Sequence, residues 1–85
     1  MYAIKFPKGE DLVYYQRIKD CREDADLKQS DVAKLLQTTQ QTYSLWETGK
    51  REIPVSHVIT LARCYRVSTD YLLGLTNDKK GTWVK

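Results

Sequence analysis

The stretch Thr38-Thr39-Gln40-Gln41-Thr42-Tyr43-Ser44-Leu45-Trp46-Glu47-Thr48-Gly49-Lys50 decides how this chain folds. Thr39 is a good N-cap, because its hydroxyl can accept a backbone N–H that the first turn of a helix leaves unpaired. Gly49 takes φ > 0 without penalty and can close the helix at its far end. About two turns of helix lie between them. Tyr43 and Trp46, three apart, point to one side and are expected to be buried. The other side presents Gln40, Gln41, Ser44, Leu45 and Thr48, side chains of the kind that read base edges. No catalytic group stands among them. A helix this short is marginal alone, so its neighbours must hold it. It reads as a recognition helix.

Working upstream, a helix over about Gln29 to Leu36 buries Val32, Ala33 and Leu36, and the small Ala33 lets two helices approach closely. Lys28 at its N-cap cannot accept a hydrogen bond, so this start is expected to be poorly capped. Gln37-Thr38-Thr39 makes a short turn into the recognition helix. The first helix is expected to begin near Glu10 or Asp11, with acids at its positive end. Its buried stripe is Tyr14, Ile18, Cys21 and Ala25, and Asp26, which tolerates the left-handed region, ends it.

Downstream, Lys50 to Ile53 form a loop that reaches Pro54, a favourable first-turn residue. A fourth helix over Val55 to Tyr65 buries Val58, Leu61, Ala62 and Tyr65, and Val67 packs next. Ser68 caps a short fifth helix, Thr69 to Leu73, stopped by Gly74. Asn77 to Gly81 is polar and expected to be mobile. Tyr2-Ala3-Ile4-Lys5-Phe6 and Thr82-Trp83-Val84-Lys85 are strand-like. A small terminal β ribbon formed by the two ends is expected, with two frayed tails as the alternative. The chain thus divides into an N-terminal extension (1–9), a helical domain (10–74) and a C-terminal tail (75–85).

Composition bounds the function. Eighty-five residues, 41% hydrophobic and 29% charged, suit one globular domain. No apolar run approaches the roughly 20 residues of a membrane span, and Met1 to Phe6 lacks the apolar region of a signal peptide; a cytoplasmic protein is expected. Cys21 and Cys64 form no Cys-x-x-Cys pair, and both read as small core residues. His57, the one histidine, reads as solvated or capping, and a single histidine argues against most metal sites and against histidine-activated nucleophiles. The net charge of +3 is modest, but its distribution is uneven. Acids dominate from Leu12 to Asp26. Lys28, Lys34, Lys50 and Arg51 outnumber Asp31 and Glu47 from Lys28 to Arg51, as around a phosphate-facing surface.

Helix, short turn, helix, with a small residue in the first and a capped start on the second, is the helix-turn-helix pattern. Leu27-Lys28-Gln29-Ser30-Asp31-Val32-Ala33, Thr39-Gln40-Gln41-Thr42, Trp46-Glu47-Thr48-Gly49-Lys50, Ile53-Pro54 and Val67-Ser68-Thr69-Asp70-Tyr71-Leu72-Leu73-Gly74 resemble the Cro/CI-type (XRE-like) family. Small lambdoid phage repressors look especially similar through Thr38-Thr39-Gln40-Gln41. The resemblance implies an all-α fold of five helices of lambda-repressor type, with the third in the major groove of double-stranded DNA. It further implies a bacterial or phage-encoded transcriptional regulator, a repressor, bound as a homodimer to a palindromic operator. By position, Gln40 and Gln41 match base readers, Gln29 matches a phosphate-orienting residue, and Thr39 and Lys50 match backbone contacts. Ser44, Leu45, Thr48 and Arg51 complete the expected DNA-facing set. Arg22 and Glu47 match a buried ion pair that ties the first helix to the third.

Three departures from the family pattern carry physical consequences. Gln37 replaces the usual turn glycine, so a positive φ there costs about 1 kcal/mol. Leu45 replaces a polar reader and can meet a thymine methyl or a protein. Tyr43 stands where an aliphatic residue is usual. The competing function is a protein-interaction module, such as an antitoxin or a domain that has lost DNA reading, using Leu45, Leu35 and the aromatic face. No enzyme activity, metal, cofactor or membrane association is expected, because Ser30, Ser44, Ser56 and Ser68 have no base arranged near them by the sequence.

Overall fold

The computed structural model describes residues 15–80. The first helix, expected to begin near Glu10 or Asp11 with acids in its first turn, begins instead at Gln16, after Tyr15 in a non-helical N-cap conformation, and its first turn holds no acid. Tyr14 and both terminal strands lie outside the described residues. Five helices run in order: α1 (Gln16–Asp24), α2 (Gln29–Leu35), α3 (Gln40–Glu47), α4 (Val55–Tyr65) and α5 (Thr69–Leu72). No strand occurs among the described residues. The all-α fold with five helices agrees with the expectation, and α2 and α3 form the helix-turn-helix pair.

One core joins every helix. Ile18 of α1, Val32 and Ala33 of α2, Tyr43 and Trp46 of α3, Val58, Leu61 and Ala62 of α4, and Leu72 of α5 are all buried. Leu36, Ile53 and Val67 close it from the connections. Four further expectations need correction. Ala25 is exposed, since it is already the C-cap of α1 and has turned off the buried stripe. Cys64 is exposed because the buried stripe of α4 runs through Val58, Leu61 and Ala62, and Cys64 falls on its flank. Tyr65 is only half-buried, although its hydroxyl is buried and has no hydrogen-bond partner. His57 is half-buried, its ring 5.0 Å from that of Trp46, so it packs α4 against α3.

Residues 76–79 are also tied more firmly than their polarity suggests. The Arg17 guanidinium stacks 4.0 Å from the Tyr71 ring centroid. It donates to the Tyr71 carbonyl at 2.9 Å, and also to the Thr76 carbonyl and Asn77 Oδ1. The Ser68 N–H donates to the Lys79 carbonyl at 2.6 Å. Asn77 to Lys79 therefore lie against α1 and the start of α5.

Helix ends follow one scheme. Leu27, Thr38, Lys50, Val67 and Leu75 each donate a backbone N–H to the carbonyl five residues earlier, the long bond of the Schellman motif. Each closure needs one residue at positive φ. Gly49 and Gly74 supply it without strain, at +78° and +80°. Asp26 (58°), Gln37 (57°) and Arg66 (57°) do so with a side chain. As expected, Lys28 gives α2 no side-chain cap, but Asp31 compensates in part by accepting the Lys28 N–H at 2.9 Å.

Arg22 and Glu47 pair as expected. Arg22 Nε donates to Glu47 Oε2 at 2.8 Å and Nη2 to Oε1 at 3.0 Å. Their side chains are 11% and 3% exposed, which makes the pair buried. Arg22 Nη1 also donates to the Leu27 carbonyl at 2.7 Å, so one guanidinium holds both the α1–α2 turn and α3. Burial by itself would raise the Glu47 carboxyl, but Arg22, then the Tyr43 hydroxyl and then Gln29 outweigh burial and hold it below the usual range.

Two outcomes are expected. Stability from Glu47 is present above the ordinary carboxylate range and is lost as pH falls below about 4.5 toward the depressed native value. Arg22→Met strands the carboxylate and costs about 3–5 kcal/mol at neutral pH. Because burial then dominates, this variant recovers part of its loss on acidification, opposite in sign to the parent. Urea unfolding midpoints between pH 3 and 7, a range of about four units around the carboxylate pKa, check both signs. Gln37→Gly removes a left-handed side chain and raises stability by up to about 1 kcal/mol. A lower urea midpoint for that variant would show that the Gln37 side chain contributes more than its strain costs.

Candidate nucleic-acid interface

The outward side of α3 is what remains after the core takes Tyr43 and Trp46. Tyr43 is fully buried and Trp46 is 7% exposed, so the helix cannot rotate about its axis without leaving the core. Thr39 Oγ1 accepts the Thr42 N–H at 3.1 Å, which is the cap expected from the sequence. At the other end the Leu45 carbonyl accepts N–H groups from both Lys50, at 2.9 Å, and Arg51, at 3.1 Å. Those bonds turn the chain tightly and place two exposed basic residues beside the end of the helix.

Gln40 and Gln41 are exposed, and Ser44 and Leu45 are half-buried. With Gln29 they line one shallow depression. The expected readers are thus brought together, and Gln29 of α2 joins them. The Gln29 amide is already engaged: Nε2 donates to Glu47 Oε1 at 3.0 Å. Gln29 also lines the neighbouring depression, with Lys19, Arg22, Glu23, Glu47 and Thr48. It therefore links the buried ion pair to the exposed face, with its amide oxygen available for one more bond.

Thr48 is placed differently from its companions. It is exposed beyond the last turn, and its Oγ1 donates to the Ser44 carbonyl at 2.8 Å. A hydroxyl whose proton is committed offers only lone pairs, which do not bind an anion. Thr39 Oγ1 likewise donates to Thr42 Oγ1 at 2.9 Å, which leaves the outward proton of this pair on Thr42. Thr42 is half-buried and was not among the expected contacts. The Thr-x-x-Thr spacing was the signal that could have found it, because a capping threonine meets the residue three further on.

Exposed basic side chains outnumber exposed acidic ones, Asp31 and Glu52, around α2 and α3. Lys50, Arg51, Lys28 and Lys34 are all exposed around α2 and α3. Glu47, the acid within α3, is buried and neutralised by Arg22. Among the described residues no group of three or more His, Cys, Asp or Glu side chains could hold a metal ion. No helix of the described residues is long and apolar enough to cross a membrane.

Comparison with known proteins agrees with this geometry. The helix-turn-helix family profile matches residues 18–72, more than half of the chain. The chain is 33% identical over 66 residues to the uncharacterised HTH-type transcriptional regulator YobD of Bacillus subtilis (strain 168), covering 78% of this chain and 59% of that protein. It is 34% identical over 61 residues to YonR, an SPbeta prophage-derived HTH-type transcriptional regulator of the same organism, covering 72% and 56%. It is 34% identical over 59 residues to the HTH-type transcriptional regulator ImmR, also of that organism, covering 69% and 46%. The chain therefore spans less than two thirds of the length of these relatives. No solved structure gives a significant match. The profile match, the α2–α3 pair and the Arg22–Glu47 clamp agree: the chain belongs to the helix-turn-helix family of XRE type.

Proposed function

We propose that this protein is a sequence-specific regulator of transcription that lays α3 in the major groove of double-stranded DNA. The observation that carries the reading is the division of α3 into two faces. Tyr43, Trp46 and Glu47 are spent on the interior, and Gln40, Gln41, Ser44 and Leu45 form one accessible surface. A glutamine amide can bond adenine N6 and N7 together, and the Leu45 side chain can pack on a thymine methyl. Lys50 and Arg51 stand where phosphates flank the groove and carry no sequence information. Repression by occupying a promoter needs only binding, which is the effect this surface can exert. A homodimer on a palindromic operator fits, since a two-turn reading helix covers few base pairs.

Selection of bound duplexes from a random pool tests the assignment. Enrichment of a short inverted repeat is expected, and recovery of no motif would overturn it. Leu35, 47% exposed, and the half-exposed Leu45 favour the second reading, a protein-binding module. Salt separates the two. A DNA complex weakens steeply as salt rises, whereas an apolar protein contact does not.

Gln40→Ala and Gln41→Ala are each expected to lose about 1–3 kcal/mol of discrimination at one or two base pairs per half-site. Lys50→Ala is expected to weaken all sequences alike and to reduce the salt slope by about 1. Repeating the selection with each variant checks the contrast, and an unchanged motif for both glutamine variants would remove α3 as the reader. Leu45 is expected to make the site sensitive to replacement of thymine by uracil. Loss of one buried methyl weakens binding about fourfold, and Leu45→Ala should abolish that difference in a competition titration.

A further inference from the structure

Helix α1 begins with little local support. Tyr15 gives its start no side-chain cap, and its first turn carries no acid to meet the helix dipole. A helix of nine residues is marginal alone, so tertiary contacts must hold it in place. Its last turn carries Arg22, the cation of the clamp that fixes α3. Its first turn carries Arg17, about one and a half turns away. Ile18 is the residue of α1 that is fully buried.

Arg17 faces the end of α5 and the segment that follows it. Its guanidinium bonds the carbonyls of Tyr71 and Thr76 and the Asn77 amide oxygen, and it stacks on the Tyr71 ring. Residues 76–80 are also folded on themselves. The Asp78 N–H donates to Thr76 Oγ1 at 3.1 Å, and the Lys80 N–H to Asp78 Oδ1 at 3.0 Å. The buried Ser68 pins the segment through the Lys79 carbonyl, and the Lys79 ammonium stands 5.8 Å from the Tyr71 ring centroid. Arg17 and residues 76–80 both lie outside the span 18–72 that the family profile matches.

We propose that Arg17 is a positioning residue for DNA reading: through it, residues 76–80 brace the first turn of α1 and keep Arg22 aligned with Glu47. With Ile18 as the pivot, a first turn set free lets α1 tilt, and a bidentate pair tolerates little misalignment. The inference rests on the DNA-binding reading above and adds a support that reaches α3 only through α1. Drawing residues 76–80 away from Arg17 then weakens DNA binding without any change in the reading side chains.

The test uses the full chain, a duplex recovered by selection, and a temperature at which circular dichroism shows every variant folded. Arg17→Met is expected to weaken the complex about two- to thirtyfold, the range for residues that act through an intermediate element. Base preference and salt slope stay as in the parent, because Arg17 reads neither bases nor phosphates. Arg17→Lys keeps the charge but loses the fork, and weakens binding as well. Asn77→Ala removes one acceptor and gives a smaller loss, about twofold. Carbon-13 NMR of the Glu47 carboxyl supplies a readout without DNA. Its titration lies below the usual range in the parent and moves up in both Arg17 variants as Arg22 loosens. A general loss of stability leaves that native titration where it is.

Parental affinity in both Arg17→Met and Asn77→Ala, or an unmoved Glu47 titration, would overturn the proposal. So would a flatter salt slope in Arg17→Met, or full rescue by Arg17→Lys, since either makes Arg17 a direct phosphate contact. A parent chain that binds no duplex would instead remove the DNA-binding reading, and the Glu47 titration would still show whether Arg17 holds the clamp.

Discussion

The structure depends on the bidentate pair between Arg22 and Glu47. It is costly to build, since both side chains leave water, and the pair repays that cost only with complete hydrogen bonding. Here bonding is close to complete. Arg22 also reaches the Leu27 carbonyl and Glu47 also receives Gln29, so α1, the α1–α2 turn, α2 and α3 converge on one carboxylate. A helix of eight residues has little stability of its own. With Glu47 fixed near its C-terminus and Tyr43 and Trp46 set in the core, α3 has one orientation available.

That orientation is the basis of the proposed DNA contact. The clamp consumes the one acidic side chain of α3, so the outward face is neutral and polar, and its flanks are basic. Gln29 transmits the arrangement outward, because one end of its amide is held by Glu47 while the residue borders Gln40 and Gln41. Rigidity of this kind suits the proposed base contact. A bidentate contact to a base edge needs a side chain whose backbone does not move.

Closure of the helices involves a different compromise. All five helices end with the same long backbone bond, yet three of the left-handed positions carry Asp26, Gln37 and Arg66 instead of glycine. Each forgoes some stability. Gln37 lies in the turn of the helix-turn-helix pair, where the short path from α2 to α3 permits little else. The Tyr65 hydroxyl, buried without a hydrogen-bond partner, is a further unrelieved cost. The stacked Arg17 works the other way, satisfying carbonyls at the end of α5 and of the segment beyond it.

Local signals in the sequence sufficed for much of this protein. The Thr39 cap, the Gly49 stop, the span of α4, the Ser68 cap and the buried positions Val32, Ala33, Tyr43, Trp46, Val58, Leu61 and Ala62 are properties of residues within one turn of each other, so spacing reveals them. The Arg22–Glu47 pair was legible only through family resemblance, since twenty-five positions separate its members. Long-range packing decided the rest. His57 stacks on Trp46, Arg17 reaches across to Tyr71 and Asn77, and Cys64 and Ala25 turn away from the core at helix flanks and ends. The hydroxyl protons of Thr39 and Thr48 are committed within their own helix, so those side chains differ in what they can offer DNA. Such outcomes depend on which surfaces meet once helices pack, and a periodic pattern states only which side faces inward, not what it finds there.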